Sequence, residues 1–357
     1  MTMTRVIAAF LFAVVLAFFA LVMFWNNAMQ RAEKQLEVTL AQVFGEGLAY
    51  GLVQWHYNPF EARFTIHNVE FWVHDKATDA RYLHKMKRVD VSRELMGEGR
   101  INVLLPQQHE IETGIGADLI QYDARIQDGM VSIYPEVNGG ELYISARTVY
   151  INEVGSDNHF NSRGAYFFKA GSGNHYDMRI SLQDMTSSGL FGVKDTFHAD
   201  ALVVDLGLQK VPDYGSKMIL PVVATQSLDV FKAGVVDVLE AMRSQDGHIT
   251  LKDILYEKGD YWIGLNGKVQ LDRRDRPAGE VNLSTNKADR TLAFFREKGL
   301  LDDTLMAKNR VLYRVINQSD NSLDLNMKLN HGSVSISGVE AGFVPTITDF
   351  LSMQENE

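Results

Sequence analysis

An uninterrupted apolar run near the amino terminus is the feature that most restricts how this chain can fold. The segment Val6–Trp25 contains only apolar residues, and the next charged residue is Arg31. About 20 such residues in a helix span the hydrocarbon core of a bilayer. A cleaved signal peptide is the alternative, but its apolar region is shorter and ends in a small-x-small site that the following residues match poorly. We therefore predict an uncleaved membrane anchor over residues 1–28.

The charges beside this run say little about orientation. Arg5 precedes it, and Arg31 and Lys34 follow it, so the positive charges on the two sides are nearly balanced. Long domains cross the membrane largely regardless of such counts, and single N-terminal anchors commonly leave the short end in the cytoplasm. We expect a single-pass protein of the bacterial inner membrane, held there through Val6–Trp25, with its body in the periplasm.

A second helical pattern follows the anchor. Residues 29–50 are predicted to form an amphipathic stalk helix, because apolar residues recur there at helical spacing. The stripe consists of Met29, Ala32, Leu36, Leu40 and Val43.

Beyond Gly51 the dominant period is two. Phe64 and Ile66 share one face of a strand, and after a break near Asn68 the alternation resumes at Phe71 and Val73. Roughly a dozen comparable runs, separated by Gly, Asn or Asp, predict antiparallel pairing, since no regular helices intervene to make parallel crossovers. The fold class is therefore mainly β (α+β): an N-terminal transmembrane helix, then long curved antiparallel β-sheets with two or three amphipathic helices packed on them.

Two stretches of the body have helical spacing instead. The first contains Leu228, Phe231, Val235 and Met242, and the second, after Lys287, contains Leu292 and Phe295. Such helices could cover one face of the sheet. The body, 51–357, is treated as one β-rich unit with a potential division near 210–247.

Composition excludes several classes of function. The net charge of -10 leaves no basic face for a phosphate backbone, so no nucleic-acid partner is expected. The chain has no cysteine, which excludes disulfides, thiolate metal sites and cysteine nucleophiles. No phosphate-binding loop, hydrolase serine motif or helical histidine pair occurs. We therefore predict no enzymatic activity, no catalytic residue, no cofactor and no metal site.

The C-terminal half resembles a family of bacterial proteins, domain-of-unknown-function family 2125. The resemblance rests on a strand, a hairpin and a short helix within Ile249–Leu301, and on the later segment Leu323–Ile347. The stretch at Asn58–Phe60 is similar to the N-terminal strand of that family. The hairpin positions are Gly267, Val269, Leu271, Asp272, Pro277, Gly279 and Val281. The resemblance implies a membrane anchor and a periplasmic body, and no chemistry. In architecture the chain also loosely resembles AsmA-type envelope proteins, but architecture does not imply function.

Three functional hypotheses remain. The leading interpretation is a periplasmic sheet that binds or organises lipid, or another hydrophobic envelope component, in an apolar groove. The alternatives are a scaffold that docks other envelope proteins through its sheet edges and, less favoured, a hydrolase of envelope polymers. The candidate groove residues are Val69, Phe71, Val73, Leu202, Val204, Val269, Leu271 and Leu283.

Overall fold

The structure is a computed structural model of the chain. It describes residues 34, 47–56, 61–75, 79–94, 99–134, 140–172, 174–189, 196–210, 239–240, 242–272, 274, 276–297, 322–330, 332–336 and 338–343.

Eighteen described strands belong to one sheet. The first nine are β1 (Leu48–Ala49), β2 (Val53–His56), β3 (Glu61–Asp75), β4 (Ala80–Glu94), β5 (Ile101–Leu104), β6 (Gln108–Ile115), β7 (Asp118–Gln127), β8 (Met130–Tyr134) and β9 (Glu141–Glu153). The others are β10 (His159–Ser172), β11 (His175–Ser188), β12 (Phe197–Gln209), β13 (His248–Lys258), β14 (Tyr261–Leu271), β15 (Pro277–Thr285), β16 (Leu323–Asn330), β17 (Ser333–Ile336) and β18 (Val339–Phe343).

The strands form a meander in which every observed pairing is antiparallel. From β9 to β18 each strand pairs with the next one in the sequence. Near the start, β1 and β2 lie along the same edge of β3, which pairs with β4. Strands β5 and β6 both pair with β4, and β8 and β7 lie between them and β9. The antiparallel sheet predicted from the period-two pattern is confirmed.

The described helical structure is short. Helix α1 spans Ala288–Glu297, and residues 239–240 and 242–244 are also helical. Asp289 lies in the first turn of α1, where the helix dipole favours a negative charge. The inward side of α1 is fixed by Thr291, whose hydroxyl oxygen lies 3.0 Å from the Tyr261 hydroxyl and donates to the Thr285 hydroxyl at 3.1 Å.

Two separate apolar clusters form the core. One lies near the start of the meander, where Phe64, Ile66, Val69, Met86, Val89, Val91 and Ile101 are buried. The other lies near its end, where Leu283, Ala288, Leu323, Leu325 and Ile336 are buried. The strands between these clusters have mostly half-buried apolar side chains.

Several expectations are corrected or fall outside the described residues. Leu48 and Ala49, which the sequence places in the stalk helix, form a strand that pairs with β3. Trp72 is 42% exposed, because it lies on the face opposite Phe71. Met242 is buried, as the amphipathic pattern requires. The predicted anchor 1–28 and most of the first predicted helix lie outside the described residues.

Candidate functional site: the apolar face of the sheet

One face of the sheet carries an unbroken row of apolar residues that crosses thirteen strands. Directly paired residues in antiparallel strands project to the same side, so the register identifies the members of the row. Strands lie about 4.8 Å apart, and twelve steps therefore extend for about 58 Å along the sheet. The row is Trp55, Phe64, Val91, Val103, Val131, Ile144, Phe167, Ile180, Val204, Ile254, Leu265, Leu283 and Leu325. We call it the apolar row.

The apolar row is buried near its two ends and half-buried between them. Phe64 and Val91 belong to the first core cluster, and Leu283 and Leu325 belong to the second. The eight residues from Val103 to Leu265 along the row keep part of their surface accessible. At the centre of the sheet, the apolar side chains of the row therefore remain partly available to a ligand.

Neighbouring rows widen this face between β11 and β16. On one side lie Met178, Leu206, Leu251, Gly267, Val281 and Met327, and on the other lie Leu182, Leu202, Tyr256, Ile263, Thr285 and Leu323. A register shift lies between Leu251 and Ile254 of β13. Because of this shift, both residues lie on the apolar face although they are three positions apart.

Two glycines of the hairpin β14–β15 let the strands approach closely within this face. Gly267 and Gly279 have φ values of 151° and 147°, which an L side chain rarely adopts. A Cβ atom at Gly267 would lie 2.2 Å from the Glu280 carbonyl oxygen, and one at Gly279 would lie 2.0 Å from the Lys268 carbonyl oxygen. The glycines on which the family resemblance rests are thus required by the backbone.

The opposite face of the same strands is polar. Asn282 donates a hydrogen bond to the Asn266 side-chain oxygen at 3.1 Å, and Asn326 donates to that of Asn282 at 2.8 Å. With Ser284 and Asp324 these side chains line a shallow groove of about 410 Å³. The sheet is therefore two-sided in chemistry over β14–β16, and only one side suits an apolar ligand.

All the candidate residues whose placement is described lie on the apolar face, in two regions. Val69 and Phe71 belong to the first cluster or pack against it, and Leu283 is 1% exposed in the second. The backbone of Val73 pairs with Tyr82, but its side chain lies outside the described residues. The register joins the remaining candidates to half-buried positions of the face: Leu202, Val204, Val269 and Leu271.

A polar pair, in which His109 is buried and His84 is half-buried, interrupts the apolar face near the first cluster. His84 Nε2 lies 2.8 Å from His109 Nδ1, and His109 Nε2 lies 2.8 Å from the Pro106 carbonyl oxygen. Because a carbonyl only accepts, His109 donates to Pro106 and accepts from His84. Desolvation, and then the neighbouring His109, lower the pKa of His84 to about 3; desolvation also lowers the pKa of His109. Both rings are therefore neutral near pH 7.

Sequence reasoning missed this pair, since the two histidines are 25 residues apart. Their partnership depends on the pairing of β4 with β6, in which Met86 opposes His109. A signal was present locally, because Tyr82, His84 and Met86 alternate along β4, which places His84 on the same face as Met86.

The charged turn between β14 and β15 contains an ion pair between two of its own residues. Arg276 lies 2.8 Å from an Asp272 carboxylate oxygen. Burial opposes ionisation of Asp272, but hydrogen bonds from Arg276 and from the Arg274 backbone outweigh it and lower the pKa of Asp272 to about 2. The Asp272 carboxylate and the Arg276 guanidinium therefore neutralise each other within the turn.

The described residues contain neither a metal-binding cluster nor a helix that could span a membrane. No group of three or more His, Asp or Glu side chains there is placed to hold a metal ion. No helix there is long and apolar enough to cross a membrane. The predicted anchor, Val6–Trp25, lies outside the described residues.

The described strands form a long antiparallel meander with one apolar face. Residues 169–345 match the family model described as an uncharacterised protein conserved in bacteria (DUF2125), and this part of the chain belongs to that family. The match begins at the end of β10 and includes every strand from β11 to β18, so it contains the widest part of the apolar face. Asn58–Phe60 lies outside it. No protein with curated annotation gives a significant match to the chain.

Proposed function

We propose that this protein is a membrane-anchored protein of the bacterial envelope that binds lipid acyl chains along the half-buried centre of the apolar row, without catalysing a covalent change. The observation that carries the proposal is the continuity of the row. Thirteen successive strands each place an apolar side chain on it, and the eight central ones retain accessible surface. Large accessible apolar surfaces are characteristic of binding sites.

The shape of this surface favours a long, flexible, apolar ligand. The row extends about 58 Å at the spacing of strands, while its width is set by side chains of a few rows. Polar groups with fixed directions are few along it, so the surface offers contact area and little directional recognition. An acyl chain satisfies these conditions, because it gains free energy from contact with any part of the row.

The test is site-specific photocrosslinking in the full-length protein in its native membrane. A photoreactive side chain replaces Val204, which lies at the centre of the row, and in a matched protein it replaces Val203, which points to the other face of the same strand. We expect lipid adducts, identified by their mass, at position 204 and few at position 203. The predicted anchor is present in both proteins, so lipid bound there does not produce this difference.

Two outcomes would contradict the proposal. Equal lipid adducts at both positions would show that lipid contacts the protein without preference for the apolar face. Crosslinks from position 204 to peptides of the same chain, with no lipid, would show that the predicted helices cover the row instead.

A further inference from the structure

The turns at one end of the sheet are brought together by the meander. The turn after β3, the turn between β6 and β7, and the turn after β9 all lie there. Gly116 donates to the Asp79 carbonyl oxygen at 3.1 Å, which joins the first two turns. Val154 donates to the Gln121 carbonyl oxygen at 2.8 Å, which joins the third. These contacts define a single continuous end of the sheet.

This end exposes large apolar side chains. Leu119 is 47% exposed, Val154 is 48% exposed and Ile115 is 38% exposed, and Trp72 lies close to the same end. Turn residues are ordinarily polar, because turns face water. The turns at the opposite end of the sheet follow that rule, with Asn174 and His175, Asp272 and Arg276, and Asn330 and Ser333. We call Trp72, Ile115, Leu119 and Val154 the tip patch.

The chain enters the sheet at the tip patch. Trp72 donates to the Gly47 carbonyl oxygen at 2.7 Å, and Leu48 pairs with Phe71. Everything that precedes residue 47, including the predicted anchor Val6–Trp25, therefore joins the sheet at this end. The 15-residue strand β3 puts the opposite end about 48 Å farther away along the strand. An anchor in the bilayer is thus connected to the sheet at the tip patch and not at the polar turns.

The charges around the tip patch indicate the kind of lipid surface. Asp79 forms an ion pair with Arg81 at 3.2 Å, and His74 Nε2 lies 2.8 Å from the same carboxylate oxygen. Asp118 and Asp157 are exposed beside the patch. Because these carboxylates repel anionic headgroups, the patch suits a zwitterionic surface, and its attachment depends on apolar contact more than on charge.

We infer that the tip patch rests on the surface of the bilayer, with Leu119 and Val154 inserted among zwitterionic phospholipids. The inference rests on the membrane anchoring in the proposed function, but not on lipid binding along the apolar row. It gives the anchored sheet a fixed orientation, in which one end of its strands rests on the membrane and the apolar row runs parallel to the bilayer surface.

The absence of cysteine from the chain allows a direct test. Single variants L119C and V154C report on the tip patch, and N330C reports on the opposite end. Each full-length protein carries a nitroxide spin label and is placed in phosphatidylcholine nanodiscs. Accessibility to oxygen, which concentrates in lipid, is compared with accessibility to a water-soluble nickel complex. We expect the oxygen-to-nickel ratio at positions 119 and 154 to exceed that at position 330 several-fold.

A fourth variant, L16C in the predicted anchor, separates the possible failures. A lipid-like ratio at position 16 together with water-like ratios at 119 and 154 would overturn the inference while leaving the anchor in place. A water-like ratio at position 16 would overturn the anchoring, and the inference with it. Equally lipid-like ratios at 119, 154 and 330 would also overturn the inference, since the sheet would then lie flat on the membrane.

Discussion

Acid should destabilise the fold through the histidine pair. In the folded protein the pKa of His84 lies at about 3, against 6.5 for an ordinary histidine. Below pH 6.5 the unfolded chain therefore binds a proton that the folded protein does not bind. Stability contributed by this difference is complete above pH 6.5 and is lost as the pH falls from 6.5 towards 3.

The size of the effect follows from the same two values. At pH 5 the unfolded state gains about 2 kcal/mol from protonation of a histidine with a pKa near 6.5, and the folded state gains almost nothing at His84. The 3% exposure of His109 and the lowered pKa of that ring add to the loss in the same direction. We expect the free energy of unfolding to fall by at least about 2 kcal/mol between pH 7.5 and pH 5 because of this pair.

The measurement is urea unfolding of the full-length protein in detergent, followed by circular dichroism at several pH values from 7.5 to 5. The double variant H84L/H109L removes both titrating rings together, which avoids leaving one of them without its partner. The exposed His175 supplies the control variant H175Q. The double variant should lose most of the pH dependence, and H175Q should retain it. If wild type and the double variant show the same slope with pH, the reasoning about the pair is wrong.

Three other substitutions test the packing. Leu283→Ala, in the second core cluster, should lower the free energy of unfolding by about 2–5 kcal/mol. The control Leu104→Ala alters an exposed residue and should lower it by under about 0.5 kcal/mol. Similar losses for both variants would contradict the assigned core. Thr291→Val should lower the free energy of unfolding by about 1–3 kcal/mol, because it leaves the Tyr261 and Thr285 hydroxyls without this partner. Thr291→Ser keeps the hydroxyl and should retain most of this stability. Denaturant midpoints of the two variants measure the difference. Gly267→Ala should destabilise more than Gly259→Ala, because only the first places a Cβ atom against backbone; equal melting temperatures would refute the close approach of β14 and β15.

The sequence was sufficient to predict local structure where alternation was strong. The interruption predicted near Asn68 corresponds to a positive φ of 52° within one continuous strand, β3. Phe64 and Ile66 before it, and Val69 after it, all lie in the same core cluster. The apolar positions thus change parity at Asn68 without leaving their face.

The apolar row could not be predicted, because it depends on register between strands. The register shift between Leu251 and Ile254 decides which residue of β13 opposes Leu265. The local sequence of β13 does not indicate the position of this shift. For the same reason the exposure of Trp72 could not be predicted: an aromatic residue in a strand is buried in general, but here the neighbouring Phe71 faces the core. Position along a strand is a local property, whereas the side that becomes the core is decided by distant partners.

The order of pairing has a consequence for how the protein is made. From β9 onwards each strand finds its partner in the strand synthesised just before it, so no completed part of the sheet must open to admit a later strand. Where the connection is short, as between β10 and β11 or between β13 and β14, such local pairing keeps the entropic cost of closing the loop small and favours rapid folding. The sheet can therefore grow by one hairpin at a time as the chain emerges, vectorially from its amino terminus. For the same reason, a family of such chains can lengthen or shorten by whole hairpins while retaining a continuous face.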